Sequence, residues 1–203
     1  MLGPGVNVQR VPLNGRNAEY ISGEEPALGA ALTAAYVRGV QGAGVAAVAK
    51  HFTLNQQETY RATTNAVVDA RTRWEVYYPP YEAAVRAGAA SIMCSYNRVN
   101  GVFACGNDQT LSRDLKEGMG FKGWVMSDWW ASHSEKDAMH GLDQYMPGND
   151  AFFTVHPSRA PIAPASARLP GAVGHLPAYH AIVLSCCALL TFGRKHSAQA
   201  AWT

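Results

Sequence analysis

Short apolar runs that stop at polar residues recur along the first 150 residues of the chain. The clearest covers Trp124 to Met126, follows Gly123 and stops at Ser127 and Asp128. Runs of this length, bounded by glycine, are typical of buried parallel strands. A carboxylate at the end of such a strand needs hydrogen-bond partners or water. Asp128 is therefore the first candidate for chemistry.

The same hydrophobic pattern predicts three further strands, at 45–49, 90–95 and 142–146. The first is followed by Lys50 and His51, and the second by Tyr96. Helical spacing of apolar residues, with capping residues and glycine stops, predicts helices at 26–41, 71–88, 110–117 and 132–141. Pro79 and Pro80 break the second of these.

Alternating strands and helices predict an α/β protein with a parallel sheet. Three successive strands end in Lys50 and His51, in Tyr96 and in Asp128. In a (β/α)8 barrel, functional groups lie at that end of the strands. A doubly wound sheet would place a ligand at the same edge, so the pattern alone leaves both architectures open.

Charge and motifs exclude several classes of function. A net charge of +2 does not favour a nucleic-acid partner. The start of the chain has no signal-peptide pattern, and the longest apolar stretch, 181–190, is about half the ~20 residues that a membrane span needs. No glycine-rich nucleotide motif follows a strand, and the four cysteines include no CxxC pair. We therefore expect no membrane partner, no metal and no cofactor.

The composition changes near residue 150, which divides the chain into 1–150 and 151–203. All 15 acidic residues lie at or before Asp150, whereas the last 53 residues hold five of the eleven prolines. Prolines at this spacing disfavour helices and central strands. We expect a poorly ordered, Pro/Ala-rich tail. Because the break falls within the pattern, we favour the interpretation that the tail comes from a mis-spliced or frame-shifted gene model.

Four motifs in the first 150 residues occur together, in order and at compatible spacing. They are Asn14-Gly15-Arg16-Asn17-Ala18-Glu19-Tyr20 with Gly23-Glu24-Glu25-Pro26, then Lys50-His51-Phe52, then Met93-Cys94-Ser95-Tyr96-Asn97, and finally Ser127-Asp128-Trp129. With them the chain resembles the N-terminal barrel domain of family 3 glycoside hydrolases, and most of all the β-glucosidase branch. The resemblance extends from Gly3 to about Gly148.

The resemblance implies an incomplete (β/α)8 barrel of the TIM type, because a complete one needs about 250 residues. It assigns Asp128 as the catalytic nucleophile. The residues that it places around the sugar are Arg16, Lys50, His51, Met93, Tyr96 and Trp129. It also implies that Lys50 and Arg16 lie near Asp128 and hold its carboxylate ionised.

The implied activity is retaining hydrolysis of terminal β-linked glucosyl residues through a covalent glycosyl-enzyme, with a carbohydrate substrate and no cofactor. In the resembled branch the acid/base glutamate belongs to a second, C-terminal domain. A further active-site aspartate would precede Met1. We therefore expect an enzyme in its full-length form and inactivity of this chain alone. The alternatives are a catalytically incomplete fragment, a sugar-binding remnant or a β-xylosidase; Trp129 favours glucose.

Two further expectations concern the loops after the strands. Many secreted relatives of the resembled family bridge cysteines at the spacing of Cys94 and Cys105. A disulfide here would fix the loop that carries Tyr96, and it would favour an extracellular location. The loop after His51 lacks the Asp-His pair of the family's N-acetylglucosaminidases. Its carboxylate, Glu58, is interpreted as structural and paired with Arg61.

Overall fold

The computed structural model describes residues 1–148, so the predicted tail lies outside the described residues. The strands are β1 (Val48–Phe52), β2 (Asn65–Ala66), β3 (Ser91–Cys94), β4 (Arg98–Val99), β5 (Val102–Phe103) and β6 (Trp124–Ser127). The α-helices are α1 (Pro26–Gly42), α2 (Ala70–Thr72) and α3 (Pro79–Arg86). Further helical segments are the π-helices Arg73–Tyr77 and Gln109–Gly118 and the short 3-10 helices Asn17–Glu19, Ala104–Gly106 and Glu135–His140.

The main sheet is parallel, with the strand order β1-β3-β6. Ser91 at the start of β3 lies opposite Val48 on one side and Trp124 on the other. Parallel bridges extend this sheet in both directions, from Gly5 to Lys50 and from Gln144 to Met126. The α/β class with a parallel sheet is therefore confirmed. A further parallel bridge from Tyr20 to Gly5 brings the sheet to six adjacent segments within residues 1–148.

Strand β1 differs from its prediction, because it begins at Val48 and contains Lys50 and His51 rather than ending before them. The N–H of Lys50 donates to the carbonyl of Pro4 at 2.9 Å, and the N–H of Val6 donates to the carbonyl of Lys50 at 2.7 Å. The partner that extends the strand is thus more than 40 residues away. A local hydrophobic pattern cannot report such a partner.

The predicted strand at 142–146 is wrong in extent, since the sheet pairing there is the single bridge at Gln144. The predicted helix at 132–141 is also too long, because the helical part is the 3-10 segment Glu135–His140. The Asp137 carboxylate accepts from the Ser132 hydroxyl at 2.7 Å and from the N–H of His133 at 3.0 Å. These bonds hold the preceding residues in a turn.

A small second sheet follows β3 at the rim. Strand β2 pairs parallel to β4, and β4 pairs antiparallel to β5 through a turn at Asn100 and Gly101. Both turn residues have positive φ, 51° and 90°, as tight hairpin turns require. A disulfide joins Cys94 to Cys105, with Cα atoms 5.2 Å apart, and anchors the hairpin to β3.

The two faces of the main sheet pack against different partners. Ala49, Ile92 and Val125 belong to the large core that also includes residues of α1 and α3. Val48, Met93 and Met126 form a second, smaller cluster with Met146 and Trp129. Side chains alternate between faces along a strand, so Lys50 shares the second face with Val48. No helix in residues 1–148 is both long and apolar enough to cross a membrane.

Gly123 makes a close backbone approach at the start of β6. A Cβ atom there would collide with the carbonyl oxygen of Ala90 and with the ring of Phe121. We expect Gly123→Ala to lower the free energy of unfolding by about 1–3 kcal/mol, the range found for overpacked sites. Urea denaturation followed by tryptophan fluorescence measures this change.

Gly39 provides the matched control, because it lies on the exposed face of α1 and a Cβ there meets nothing within 4 Å. Gly39→Ala should raise the free energy of unfolding by about 0.5–1 kcal/mol, since alanine favours the helix. Equal effects of the two substitutions would contradict the steric explanation.

Candidate active site

Asp128 lies directly after β6, and its side chain is only 12% exposed. Its Oδ1 accepts hydrogen bonds from the Tyr96 hydroxyl at 3.0 Å and from the N–H of Trp129 at 2.8 Å. Its Oδ2 lies 3.5 Å from Nε2 of His51. One oxygen is thus fixed by two donors, and the orientation of the carboxylate is set before any ligand arrives.

Tyr96 follows β3 and connects that strand to the carboxylate. Burial and the neighbouring Asp128 carboxylate raise the pKa of Tyr96 to about 12. The phenol therefore stays protonated at neutral pH and donates to Asp128. Above its ring, at 4.2 Å from the centroid, lies the guanidinium of Arg61.

His51 is almost completely buried, and its Nε2 lies between Asp128 and Arg16. The Arg16 guanidinium is 3.2 Å away, and the Tyr20 hydroxyl is 3.3 Å from Nδ1. Burial, together with the positive charges of Arg16, Lys50 and Arg61, lowers the pKa of His51 well below its ordinary value. The imidazole is therefore neutral at neutral pH.

Lys50 and Arg16 lie in the same site, but among the described residues neither forms an ion pair with Asp128. Both contact Glu19: the Lys50 Nζ is 2.8 Å from its Oε1, and the Arg16 guanidinium makes contacts of 2.9–3.2 Å. Lys50 and Arg16 were expected to lie near Asp128 and to hold its carboxylate ionised. In the structure Arg16 reaches Asp128 through the neutral His51 ring, whose Nε2 lies 3.2 Å from Arg16 and 3.5 Å from Oδ2 of Asp128.

A second carboxylate, Glu58, bridges two arginines. It lies 2.9 Å from Arg61 and 3.7 Å from Arg16. The predicted pairing of Glu58 with Arg61 is therefore confirmed. Arg61 then contacts the ring of Tyr96. A closed chain of contacts thus runs from Asp128 through His51, Arg16, Glu58, Arg61 and Tyr96 back to Asp128.

Met93 and Trp129 form an apolar side of the same region. Both belong to the cluster on the second face of the sheet, with Met93 buried and Trp129 partly buried. All seven residues predicted for the site thus lie at one edge of the sheet. Among residues 1–148, no group of histidine, cysteine and carboxylate side chains has a geometry that could hold a metal ion.

Sequence reasoning missed Glu19 and Arg61 as members of the site. Glu19 stands three residues after Arg16 within a quoted motif, and that spacing suits an ion pair on a helical turn. Arg61 lies in a polar loop without periodicity, and its position over Tyr96 depends on the fold. The signal for Glu19 was present in the sequence, whereas for Arg61 the sequence indicated only its pairing with Glu58.

The parallel sheet presents a fixed carboxylate at its carboxyl edge, which is where catalytic groups lie in α/β barrel enzymes. The glycosyl hydrolase family 3 N-terminal domain matches residues 1–146, and the chain belongs to this family. The family resemblance inferred from the motifs is thereby confirmed, and the family is one of glycosyl hydrolases.

Curated relatives are named β-glucosidases. One from Rhizobium radiobacter is 49% identical over 150 residues, covering 73% of this chain and 18% of the relative. A probable β-glucosidase L from Aspergillus terreus is 46% identical over 158 residues, covering 73% of this chain and 21% of the relative. The chain thus spans about a fifth of the length of these relatives.

Solved structures that match this chain are also of β-glucosidases. The β-glucosidase DesR from Streptomyces venezuelae, in complex with D-glucose, matches with a TM-score of 0.70 at 46% identity over 71% of this chain and 18% of that one. β-Glucosidase 3B from Thermotoga neapolitana, in complex with glucose, matches with a TM-score of 0.71 at 40% identity over 73% of this chain and 21% of that one.

Because His51 is buried and neutral, we expect the stability of the protein to depend on pH. The unfolded chain protonates this histidine below about pH 6.5, whereas the folded chain does not, so stability is full above that pH and falls below it. We expect the free energy of unfolding to fall by up to about 1.4 kcal/mol per pH unit between roughly pH 6.5 and 5. Urea denaturation across this range measures the slope.

His51→Gln should remove this pH dependence even though the variant is less stable. His133→Gln, at an exposed position, is the matched control and should retain the slope of the wild type. A wild-type slope that survives in His51→Gln would show that another group is responsible.

Proposed function

We propose that the full-length protein is a retaining β-glucosidase and that Asp128 is its nucleophile. The observation that carries the proposal is the carboxylate of Asp128, held by Tyr96 and the N–H of Trp129 at the carboxyl end of β6. In a barrel enzyme this end of the strands is where catalytic groups lie. The family and the β-glucosidase names of the relatives support the same reaction.

In the first step, Oδ2 of Asp128 attacks the anomeric carbon while the bond to the leaving oxygen breaks and that oxygen takes a proton from an acid. This step leaves a glucosyl ester on Asp128. Water, deprotonated by the same acid/base group, then attacks the anomeric carbon and releases glucose and the free carboxylate. Oδ1 already accepts two hydrogen bonds, which leaves Oδ2 as the attacking atom.

Sugar hydroxyls are bound by Lys50, Arg16 and His51 in this proposal. The first two are cations with side chains 17% exposed, and they present donors that suit hydroxyl oxygens. Met93 and Trp129 provide the apolar side of the pocket, which suits the C–H face of a pyranose ring. The β-glucosidase names of the relatives make glucose the proposed glycone.

The acid/base group lies outside residues 1–148 in this proposal. An acid must be protonated, yet ion pairs with Lys50 and Arg16 hold the pKa of Glu19 below its ordinary value despite burial. Glu58 lies between two arginines. A chain that spans a fifth of its relatives therefore supplies the nucleophile and sugar contacts, and the acid comes from the remainder of the full-length protein.

A substrate that needs no acid tests the nucleophile directly. A deoxyfluoro-β-glucoside, with fluorine beside the anomeric carbon and a dinitrophenolate leaving group, forms the glycosyl-enzyme without proton donation and hydrolyses slowly afterwards. We expect the chain to be labelled on Asp128, as read by intact mass and peptide mapping. A β-glucoside with a poor leaving group should not be turned over by the same chain.

Asp128→Asn should abolish the label. Asp108→Asn is the matched control, because Asp108 is a half-exposed carboxylate that pairs with Arg113 on the surface. A label on another residue, or faster labelling by the corresponding xyloside, would refute the nucleophile or the glucose assignment respectively. Binding of glucose without any label would instead indicate a sugar-binding remnant.

Lys50→Ala tests the proposed hydroxyl contacts. Loss of one charged hydrogen bond costs about 1.5–3 kcal/mol, so kinact/KI for the fluoroglucoside should fall by roughly 10- to 100-fold. The rate of labelling at several reagent concentrations gives this ratio. If the variant loses thermal stability but keeps kinact/KI, Lys50 is structural rather than a ligand for the sugar.

A further inference from the structure

Glu19 has no step in the proposed reaction, yet it contacts both cations of the sugar site. Its Oε1 lies 2.8 Å from Lys50, and the Arg16 guanidinium approaches both of its oxygens at 2.9–3.2 Å. The side chain ends the short helical segment Asn17–Glu19 and is 32% exposed. One carboxylate thus offsets two positive charges that lie beside a buried, neutral imidazole.

Without Glu19, Arg16 would keep only its 3.7 Å contact with Glu58, and Lys50 would keep no ion pair among the described residues. Arg16 is 3.2 Å from Nε2 of His51, and that same atom is 3.5 Å from Oδ2 of Asp128. One imidazole nitrogen thus separates the guanidinium from Oδ2, the oxygen that the reaction needs free. Charges in a poorly solvated site attract strongly, so an uncompensated arginine or lysine would be drawn there.

We propose that Glu19 is a positioning residue that orients Lys50 and Arg16 toward the sugar and keeps both cations from pairing with Asp128. The inference rests on the proposed function. It assigns Glu19 a role through other residues, because Glu19 itself contacts neither the nucleophile nor its donors among the residues described.

Glu58 contributes to the same arrangement from the other side. It lies 3.7 Å from the second Arg16 nitrogen and 2.9 Å from Arg61, which in turn lies over the ring of Tyr96. Arg61 therefore already has its own anion, whereas Lys50 depends on Glu19. The alternation of charge from Lys50 through Glu19, Arg16 and Glu58 to Arg61 leaves Asp128 outside the ion pairs.

Inactivation kinetics with the fluoroglucoside test this role. Glu19→Gln keeps the shape of the side chain and removes its charge, so we expect KI to rise and kinact to fall, each at least about tenfold, with Asp128 still the labelled residue. Glu19→Asp, which restores the charge on a shorter side chain, should recover part of both losses. Glu75→Gln is the matched control, since Glu75 pairs with Arg71 on an exposed helix face and should leave both constants unchanged.

A double-mutant cycle separates positioning from a general loss of stability. If Lys50 acts through Glu19, Lys50→Met should cost much less in the Glu19→Gln background than in the wild type. Thermal unfolding of each variant, measured alongside, identifies any that are not folded at the assay temperature. A merely structural glutamate would lower the unfolding temperature and leave KI, kinact and the effect of Lys50→Met unchanged.

The outcomes distinguish the two proposals. The positioning role alone would be overturned if the wild-type chain is labelled but Glu19→Gln has the same KI and kinact. Independent effects of Glu19→Gln and Lys50→Met would overturn it as well. A wild-type chain that is never labelled would remove the proposed function and this inference with it.

Discussion

Parallel pairing of β1, β3 and β6 is the constraint on which the candidate site depends. Because parallel strands end at the same edge, the pairing brings Lys50 and His51, Tyr96 and Asp128 together from positions nearly 80 residues apart. The hydrogen bond from Tyr96 to Asp128 then joins the ends of two neighbouring strands. The same backbone ladder that stabilises the core therefore sets the distances in the site.

Charge compensation is the second requirement, and it follows from burial. The edge of the sheet holds three cations close to a neutral histidine, and an unpaired buried charge is costly. Glu19 and Glu58 supply the anions, so Asp128 is held by neutral donors instead. A carboxylate oriented by a phenol and a backbone N–H keeps one oxygen available, which is what the proposed covalent catalysis needs.

The disulfide hairpin shows how a rim loop can support a site. Cys94 ends β3 and Cys105 follows β5, so the bridge closes the segment that carries Tyr96. Phe103 of this hairpin stacks on His133, in the loop after Asp128, with ring centroids 3.8 Å apart. The loops that follow β3 and β6 thus support each other beyond the single hydrogen bond between Tyr96 and Asp128.

The sequence by itself determined the α/β class, helix α1, the positions of β3 and β6 and the residues at their ends, because hydrophobic period and turn residues act locally. It also determined the family, because the four ordered motifs can be identified without a structure. The tertiary structure alone decided the extent of β1, which is extended by Pro4 and Val6, and the shortening of 142–146 to one bridge. It alone assigned Lys50 to Glu19 rather than to Asp128, because the pairing of two charged side chains from distant parts of the chain depends on where the fold places them.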